Sequence, residues 1–122
     1  MRRQPRIGLL PLYLKLYDDT SPELREDFQS FIAQVINGLK AEGIETTCAD
    51  ICRIESEFQE AVRNFDREDL DLIITLHLAY SPSLESIEAL ASAKRPILIL
   101  DTTMDYDFGQ HVDPARIMFN HG

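Results

Sequence analysis

The sequence predicts a single α/β domain in which a parallel β-sheet lies between two layers of helices. Short apolar segments rich in Ile and Leu alternate along the chain with longer segments whose apolar residues recur every three or four positions. That alternation is typical of β-α-β units joined by right-handed crossovers. The chain has 122 residues, which suffices for one hydrophobic core, and it contains no repeat or low-complexity tract.

Four segments have the length and composition of β-strands, and a fifth begins near the end of the chain. The third, "LDLIITLHL", is apolar on both faces, as expected at the centre of a parallel sheet. The predicted strands are, in chain order, 6–13, 44–51, 70–78, 95–102 and 117–120.

Three amphipathic segments separate these strands and predict helices over 21–42, 54–69 and 83–93. The apolar spacing assigns an inward face to each helix. These faces are Leu24, Phe28, Phe31, Ile32, Val35, Ile36 and Leu39 in the first helix, Ile54, Phe58, Val62 and Phe65 in the second, and Leu84, Ile87, Leu90 and Ala91 in the third.

Local signals predict where the helices begin and end. Thr20 and Glu23 have the spacing of a capping box for the first helix, and Gly43 is placed to end it in a left-handed conformation. Ser81 or Ser83 is expected to cap the third helix, because no glycine flanks Ser81 as it would a catalytic serine.

The element order predicts a doubly wound, three-layer α/β/α sheet of the Rossmann-like (flavodoxin-like) kind. The expected strand order is 2-1-3-4, extended to 2-1-3-4-5 if the last apolar segment pairs. In such sheets ligands bind beyond the carboxyl ends of the strands, where the winding reverses. The predicted crevice therefore lies between the ends of strands 1 and 3.

Composition excludes several function classes. The net charge is −9, whereas nucleic-acid binders carry a basic footprint. No apolar run approaches the length of a membrane span, so we expect no membrane association and a cytoplasmic protein. Cys48 and Cys52 are expected to be free or buried thiols, since no second Cys/His pair completes a zinc site.

The loop after strand 1 argues against nucleotide chemistry. Between Gly8 and the first helix there is no glycine, although a phosphate-binding loop needs glycines where backbone N–H groups meet the ligand. Dinucleotide and flavin binding are therefore disfavoured. The paired acids of a two-component receiver are also missing from the end of this strand.

Candidate site residues follow the carboxyl ends of strands 1, 3 and 4. Tyr13 ends "PLY", His77 and Tyr80 lie in "HLAYSPS", and Asp101 and Thr103 lie in "DTT". His77 is either a structural residue at the end of a buried strand or a functional one. Its ordinary pKa lies near neutrality, which suits a ligand-binding or acid–base group. A cleft with these side chains and without a phosphate loop suits a neutral polyol such as a sugar.

Three segments, "RIGLLPLYLKLYDD", "TLHLAYSPSLES" and "PILILDTTMDYDFG" followed by "MFNHG", resemble the N-terminal domain of the L-fucose/L-arabinose isomerase superfamily. The resemblance covers essentially the whole chain. In arabinose isomerases a histidine precedes an aromatic–Ser–Pro step, as His77 precedes Tyr80, Ser81 and Pro82 here, and a Leu-Tyr pair like the one ending in Tyr13 reaches the sugar.

The resemblance implies an aldose–ketose isomerase whose N-terminal domain this chain forms and whose substrate is a monosaccharide. It implies sugar contacts from Tyr13, His77, Tyr80, Asp101 and Thr103, and no catalytic or metal-binding residue in residues 1–122. Manganese, or another divalent cation, would bind in later domains, and a homo-oligomer would complete the active site.

The sequence departs from the family pattern after strand 4, and a second function is also open. Arabinose isomerases have an "HT" step and a glutamine-containing turn after strand 4, whereas this chain reads "DTTM", so the sugar need not be arabinose. The chain stops soon after the fifth apolar segment without a closing helix, from which we expect a fragment of a longer protein. The alternative is a non-catalytic α/β domain that binds a small molecule or a partner.

Overall fold

The computed structural model describes residues 2–103, 105, 110, 111 and 114 of the chain. Four parallel strands form one sheet in the order β2-β1-β3-β4, which confirms the predicted order. The predicted fifth strand, 117–120, lies outside the described residues. The strands are β1 (Arg6–Leu12), β2 (Glu45–Cys48), β3 (Leu72–His77) and β4 (Ile97–Leu100).

Helices follow each of the first three strands. None of those in the described part of the chain is long and apolar enough to cross a membrane. They are α1 (Lys15–Thr20), α2 (Arg25–Ala41), α3 (Glu55–Asp66) and α4 (Ser83–Ser92), and a 3-10 turn, Pro22–Leu24, joins α1 to α2.

Strand β1 lies inside the sheet and is buried on both faces. Leu9, Leu10 and Leu12 are at most 2% exposed. Gly8 is required by close packing, because a Cβ there would lie 2.9 Å from a ring carbon of Phe65. The glycine that precedes the first loop therefore serves the helix–sheet contact.

The core has two layers, one on each face of the sheet. Leu9 and Ile74 pack with Phe28 and Ile32 of α2 on the first face. On the second face the core residues are Leu10, Leu12, Phe58, Val62, Phe65, Ile73 and Ala89, which belong to β1, β3, α3 and α4. The predicted three-layer arrangement and the predicted inner faces of α2 and α3 are thus confirmed in their main residues.

The first predicted helix is wrong at its start. The segment divides into α1, the 3-10 turn and α2, so Thr20 ends α1 and its hydroxyl donates to the Leu16 carbonyl at 2.8 Å. The capping box predicted for Thr20 and Glu23 does not form, because α2 begins only at Arg25. The predicted end is correct, and Gly43 has a φ of +79°.

The predicted inner face of α4 is correct at Leu90, which packs against the core, and wrong at Leu84, Ile87 and Ala91, which are exposed. Leu84 is 83% exposed and Ile87 is 56% exposed.

The buried residues of α4 are small, namely Ser86 and Ala89. They let α4 pack closely against α3, whereas apolar spacing alone selects the larger residues. On the other side of α4, Ile87 lines a pocket with Ile97 and Ile99 of β4, so these exposed apolar side chains lie on the same face of the sheet.

Replacing Phe28 with alanine is expected to cost roughly 3–5 kcal/mol of unfolding free energy, because the ring is completely buried between α2 and the sheet. Urea denaturation measures this loss. Phe31→Ala is the matched control in the same helix. Phe31 is only half-buried, so its truncation should cost clearly less, and an equal loss for the two variants would contradict this packing.

Candidate functional site

The carboxyl ends of β1, β3 and β4 meet at one edge of the sheet. Leu12 pairs with His77, and Leu76 pairs with Leu100, so the residues that follow lie side by side. Tyr13, His77 and Asp101 therefore lie at the same edge, as predicted. This is the edge at which doubly wound sheets bind ligands.

The two faces of the sheet separate these residues. Tyr13 belongs to the core layer beneath α2, together with Leu9. His77 faces the other layer, because it lines a pocket with Leu12 and residues of α4. The sheet edge therefore presents a tyrosine on one side and a histidine on the other.

The His77 pocket lies between the end of β3, α4 and β4. Its volume is about 450 Å³, which matches small-molecule sites in size. Its polar residues are clustered near the loop that follows β3, and aliphatic side chains form the remaining wall. The lining residues are Leu12, Thr75, His77, Ser81, Ser83, Ser86, Ile87, Leu90, Ala91, Ile97 and Ile99.

The helix cap predicted for Ser81 or Ser83 is wrong. Pro82 occupies the N-cap position of α4, and no side chain caps the helix. The Ser81 hydroxyl oxygen is buried and has no hydrogen-bond partner among the described residues. Ser81 therefore has a free hydroxyl in the lining of the pocket.

Thr75 is a pocket residue that sequence reasoning missed. Its hydroxyl lies 3.2 Å from Nε2 of His77 and can orient the ring. Thr75 lies within an apolar strand, where a single polar residue does not by itself indicate a site. The signal was its spacing, because residues two apart in a strand point to the same face.

Burial lowers the pKa of His77 below its ordinary value of 6.5, while the negative charge of Asp101 acts in the opposite direction. At neutral pH the imidazole is therefore neutral. In that form one ring nitrogen donates a hydrogen bond and the other accepts one. Because Nε2 is engaged by the Thr75 hydroxyl, Nδ1 is the ring nitrogen left for a further partner.

Tyr13, a candidate for sugar contact, does not lie at an exposed rim of the sheet. Its side chain is 0% exposed. Burial, aided by the charge of Asp18, raises the pKa of its phenol to about 12. Its ring packs edge-on against Phe28, with the centroids 4.9 Å apart. Truncation to alanine would therefore damage the core, and only Tyr13→Phe isolates the hydroxyl.

The two remaining candidates are exposed. Tyr80 is 57% exposed in the loop between β3 and α4. The hydroxyl of Thr103, which follows β4, donates to the carbonyl of Asp105 at 3.2 Å. Both lie at the carboxyl edge, but neither lines the His77 pocket.

Unpartnered polar atoms concentrate at this edge. Within the described ranges, three of the five buried side-chain atoms without a hydrogen-bond partner belong to Tyr13, Ser81 and Thr102, which follow β1, β3 and β4. Leaving a buried hydroxyl unpaired costs about 1–3 kcal/mol. A polyol ligand could supply the missing partners.

Cys48 and Cys52 are free thiols, as predicted. Cys52 is buried, whereas Cys48 is exposed at the surface and its thiol is only partly desolvated. Desolvation raises the pKa of Cys52 to about 12 and that of Cys48 to about 11, so both thiols are protonated and weakly nucleophilic at neutral pH. In the part of the chain that the structure describes, no three His, Cys, Asp or Glu side chains form a group that could hold a metal.

Comparison of the chain with protein-family models and with curated proteins found no match.

Replacing Asp101 with asparagine is expected to lower the pKa of His77 further, because the carboxylate charge favours the imidazolium. An NMR titration of the imidazole proton measures the shift, with His77→Gln to assign the signal. The wild-type pKa should already lie below 6.5. An unchanged pKa in the variant would show that the two side chains do not interact.

The lowered pKa of His77 also sets a pH dependence of stability. The unfolded chain takes up a proton at this residue more readily than the folded chain, so the stabilising contribution is complete above about pH 6.5 and is lost as the pH falls. Urea unfolding of wild type and His77→Gln at several pH values measures it. The difference between the two should shrink towards acid pH.

Proposed function

We propose that this chain is the N-terminal domain of a metal-dependent aldose–ketose isomerase and that its carboxyl sheet edge binds part of a monosaccharide. The family assignment draws on the resemblance of "PLY", "LHLAYSPS" and "PILILDTT" to L-arabinose and L-fucose isomerases. The observation that carries the proposal is the concentration of unpartnered hydroxyls at the edge where a doubly wound sheet binds ligands.

The His77 pocket offers a sugar a few polar groups on a mainly apolar wall. Nε2 of the neutral His77 ring is engaged by the Thr75 hydroxyl, so Nδ1 is the ring atom left for a sugar hydroxyl, and the Ser81 hydroxyl can both donate and accept. Ile87, Ile97 and Ile99 offer an aliphatic wall for the C–H surface of the ring.

The role proposed for this chain is binding and orientation. Isomerisation moves a proton between two adjacent carbons, and a cation polarises the sugar oxygens while a carboxylate transfers the proton. We place manganese, or another divalent cation, and the proton-transferring carboxylate in later domains. Tyr13, Tyr80, Asp101 and Thr103 are proposed to contact or position the sugar from this side, in a homo-oligomer.

We also propose a cytoplasmic location. Both cysteines are free thiols, which agrees with a reducing compartment. The high pKa values of these thiols add resistance to oxidation.

The alternative is a non-catalytic domain that binds a partner. The exposed apolar side chains of Ile87, Ile97 and Ile99, which line one pocket, favour this reading, since contiguous apolar surface often marks an interaction site. The two functions differ in whether the complete protein converts an aldose to a ketose.

The test is kinetic and uses the full protein that carries this domain, with manganese and L-arabinose or L-fucose. We expect aldose–ketose conversion, and we expect His77→Ala and Ser81→Ala each to lower kcat/KM by roughly 3- to 10-fold, the value of one neutral hydrogen bond. Circular dichroism should show that both variants remain folded.

Ser92→Ala is the matched control, because the Ser92 hydroxyl bonds to Ala89 at the opposite end of α4. It should leave kcat/KM unchanged. Absence of conversion with every monosaccharide tried would favour the partner-binding alternative. The chain 1–122 alone is expected to show no turnover with or without manganese, and turnover by it would contradict the proposed division of labour.

A further inference from the structure

Tyr13 is enclosed by a short helix and a cation. The ring of Tyr17, in α1, lies edge-on to it with a centroid separation of 5.8 Å. The guanidinium carbon of Arg25, at the start of α2, lies 5.5 Å from the centroid of the Tyr13 ring. With Phe28 on its inner side, the tyrosine is sealed from solvent.

Apolar packing holds α1 through Tyr17, whose partly buried ring packs against the core. The helix has six residues, none of them fully buried, and no side chain caps its N-terminus. Leu16, its large aliphatic residue, is 56% exposed. A helix of this length is not stable by itself, so polar contacts add to the Tyr17 packing in fixing its position.

Those contacts converge on Asp18. Its carboxylate accepts hydrogen bonds from Arg25, with Nε 2.9 Å from Oδ1 and Nη2 on Oδ2, and from Nη1 of Arg53 at 3.2 Å. Arg53 also bonds to Glu57 of α3, with Nη2 2.6 Å from Oε1. Asp18 thereby links α1 to α2 and to the segment that precedes α3.

The Asp18 linkage is partly shielded from water, which strengthens it. The side chain of Asp18 is 15% exposed, and those of Arg25 and Arg53 are 30% and 26% exposed. The hydrogen bonds from Arg25, followed by those from Arg53, lower the pKa of Asp18, so the carboxylate stays ionised at neutral pH. Charge-assisted, forked contacts of this kind are stronger than neutral hydrogen bonds.

We propose that α1 is a lid over Tyr13, that Asp18 holds the lid closed, and that opening of the lid presents the Tyr13 ring and hydroxyl to a ligand at the carboxyl edge. The identity of that ligand as a sugar rests on the proposed function, whereas the lid does not. In the closed state the Tyr13 hydroxyl has no partner among the described residues. That cost opposes closure and would be relieved by a ligand hydroxyl.

The lid explains why solvent reaches one side of the carboxyl edge and not the other. The His77 side is an open pocket, while the Tyr13 side is covered by α1. The two sides join at the pairing of Leu12 with His77. A ligand that reaches both sides must therefore displace α1.

Chemical modification of Tyr13 tests the lid. The chain has four tyrosines and no tryptophan, and peptide mass spectrometry can locate nitration by tetranitromethane at each tyrosine. Asp18→Asn keeps the shape of the side chain and removes its charge. We expect the nitration rate of Tyr13 to rise by about tenfold, which equals about 1.4 kcal/mol, while Tyr80, already exposed, changes little.

Asp19→Asn is the matched control. Asp19 belongs to the same helix but pairs only with Lys15 among the described ion pairs, four residues earlier in α1. It should leave the nitration of Tyr13 unchanged. An equal rise in both variants would show that general fraying of α1, and not the Asp18 linkage, governs access, and no rise in a folded Asp18→Asn protein would overturn the proposal.

A measurement on the wild-type protein covers the case in which Asp18→Asn fails to fold. The nitration rate of Tyr13 is followed at low urea concentrations, far below the unfolding midpoint. Opening of a lid exposes little surface, so the rate should depend weakly on urea, whereas global unfolding gives the full dependence of the unfolding free energy. A full dependence would refute the lid.

Repeating the nitration with a sugar present distinguishes the lid from the proposed sugar contact. L-arabinose added to Asp18→Asn should slow nitration of Tyr13 if the sugar contacts the ring. Nitration of Tyr13 that is faster in Asp18→Asn than in wild type, and that the sugar does not slow, would support the lid and refute the sugar contact. Protection without a rate difference between Asp18→Asn and wild type would refute the lid and support the sugar contact.

Discussion

The pairing of β1 on both sides is the constraint on which the rest of the structure depends. β1 bonds to β2 along one edge and to β3 along the other, so its backbone groups are satisfied and its side chains can be apolar on both faces. Each face then requires a helical layer, and the close approach at Gly8 brings Phe65 of α3 against the strand. The position of β1 also places its carboxyl end at the point where the winding reverses.

That position gives the candidate site its two-sided form. Residues leaving β1 and β3 alternate between the faces, so Tyr13 enters the layer under α2 while His77 enters the layer beside α4. One side is an open pocket, and the other is closed by α1 and the Asp18 linkage. Two neighbouring residues at the same edge thereby have opposite accessibility and different protonation behaviour.

Unpaired buried hydroxyls mark the carboxyl edge of the sheet. The hydroxyls of Tyr13, Ser81 and Thr102 are buried without partners among the described residues, although most buried polar groups in proteins are hydrogen-bonded. Folding gains nothing from such groups, because an unpaired buried hydroxyl is costly. Under the proposed function, a polyol bound at this edge would supply their partners.

The sequence alone determined the fold class, the strand order and the edge at which the candidate residues lie. These follow from hydrophobic periodicity and from the right-handed crossover, which are local or nearly universal. The helix ends were partly predictable. The left-handed Gly43 is a local feature that the sequence signals, whereas the break before α2, where the 3-10 turn Pro22–Leu24 separates it from α1, was not predicted.

Only the tertiary structure decided which candidate side chains are accessible. Tyr13 and His77 both follow strand ends in the sequence, and the difference between them arises from which face each enters and what covers that face. The same applies to α4, where Ser86 and Ala89 are buried because close packing against α3 favours small side chains. Burial depends on the shape and distance of the neighbouring layer, and apolar spacing along one helix carries no information about either.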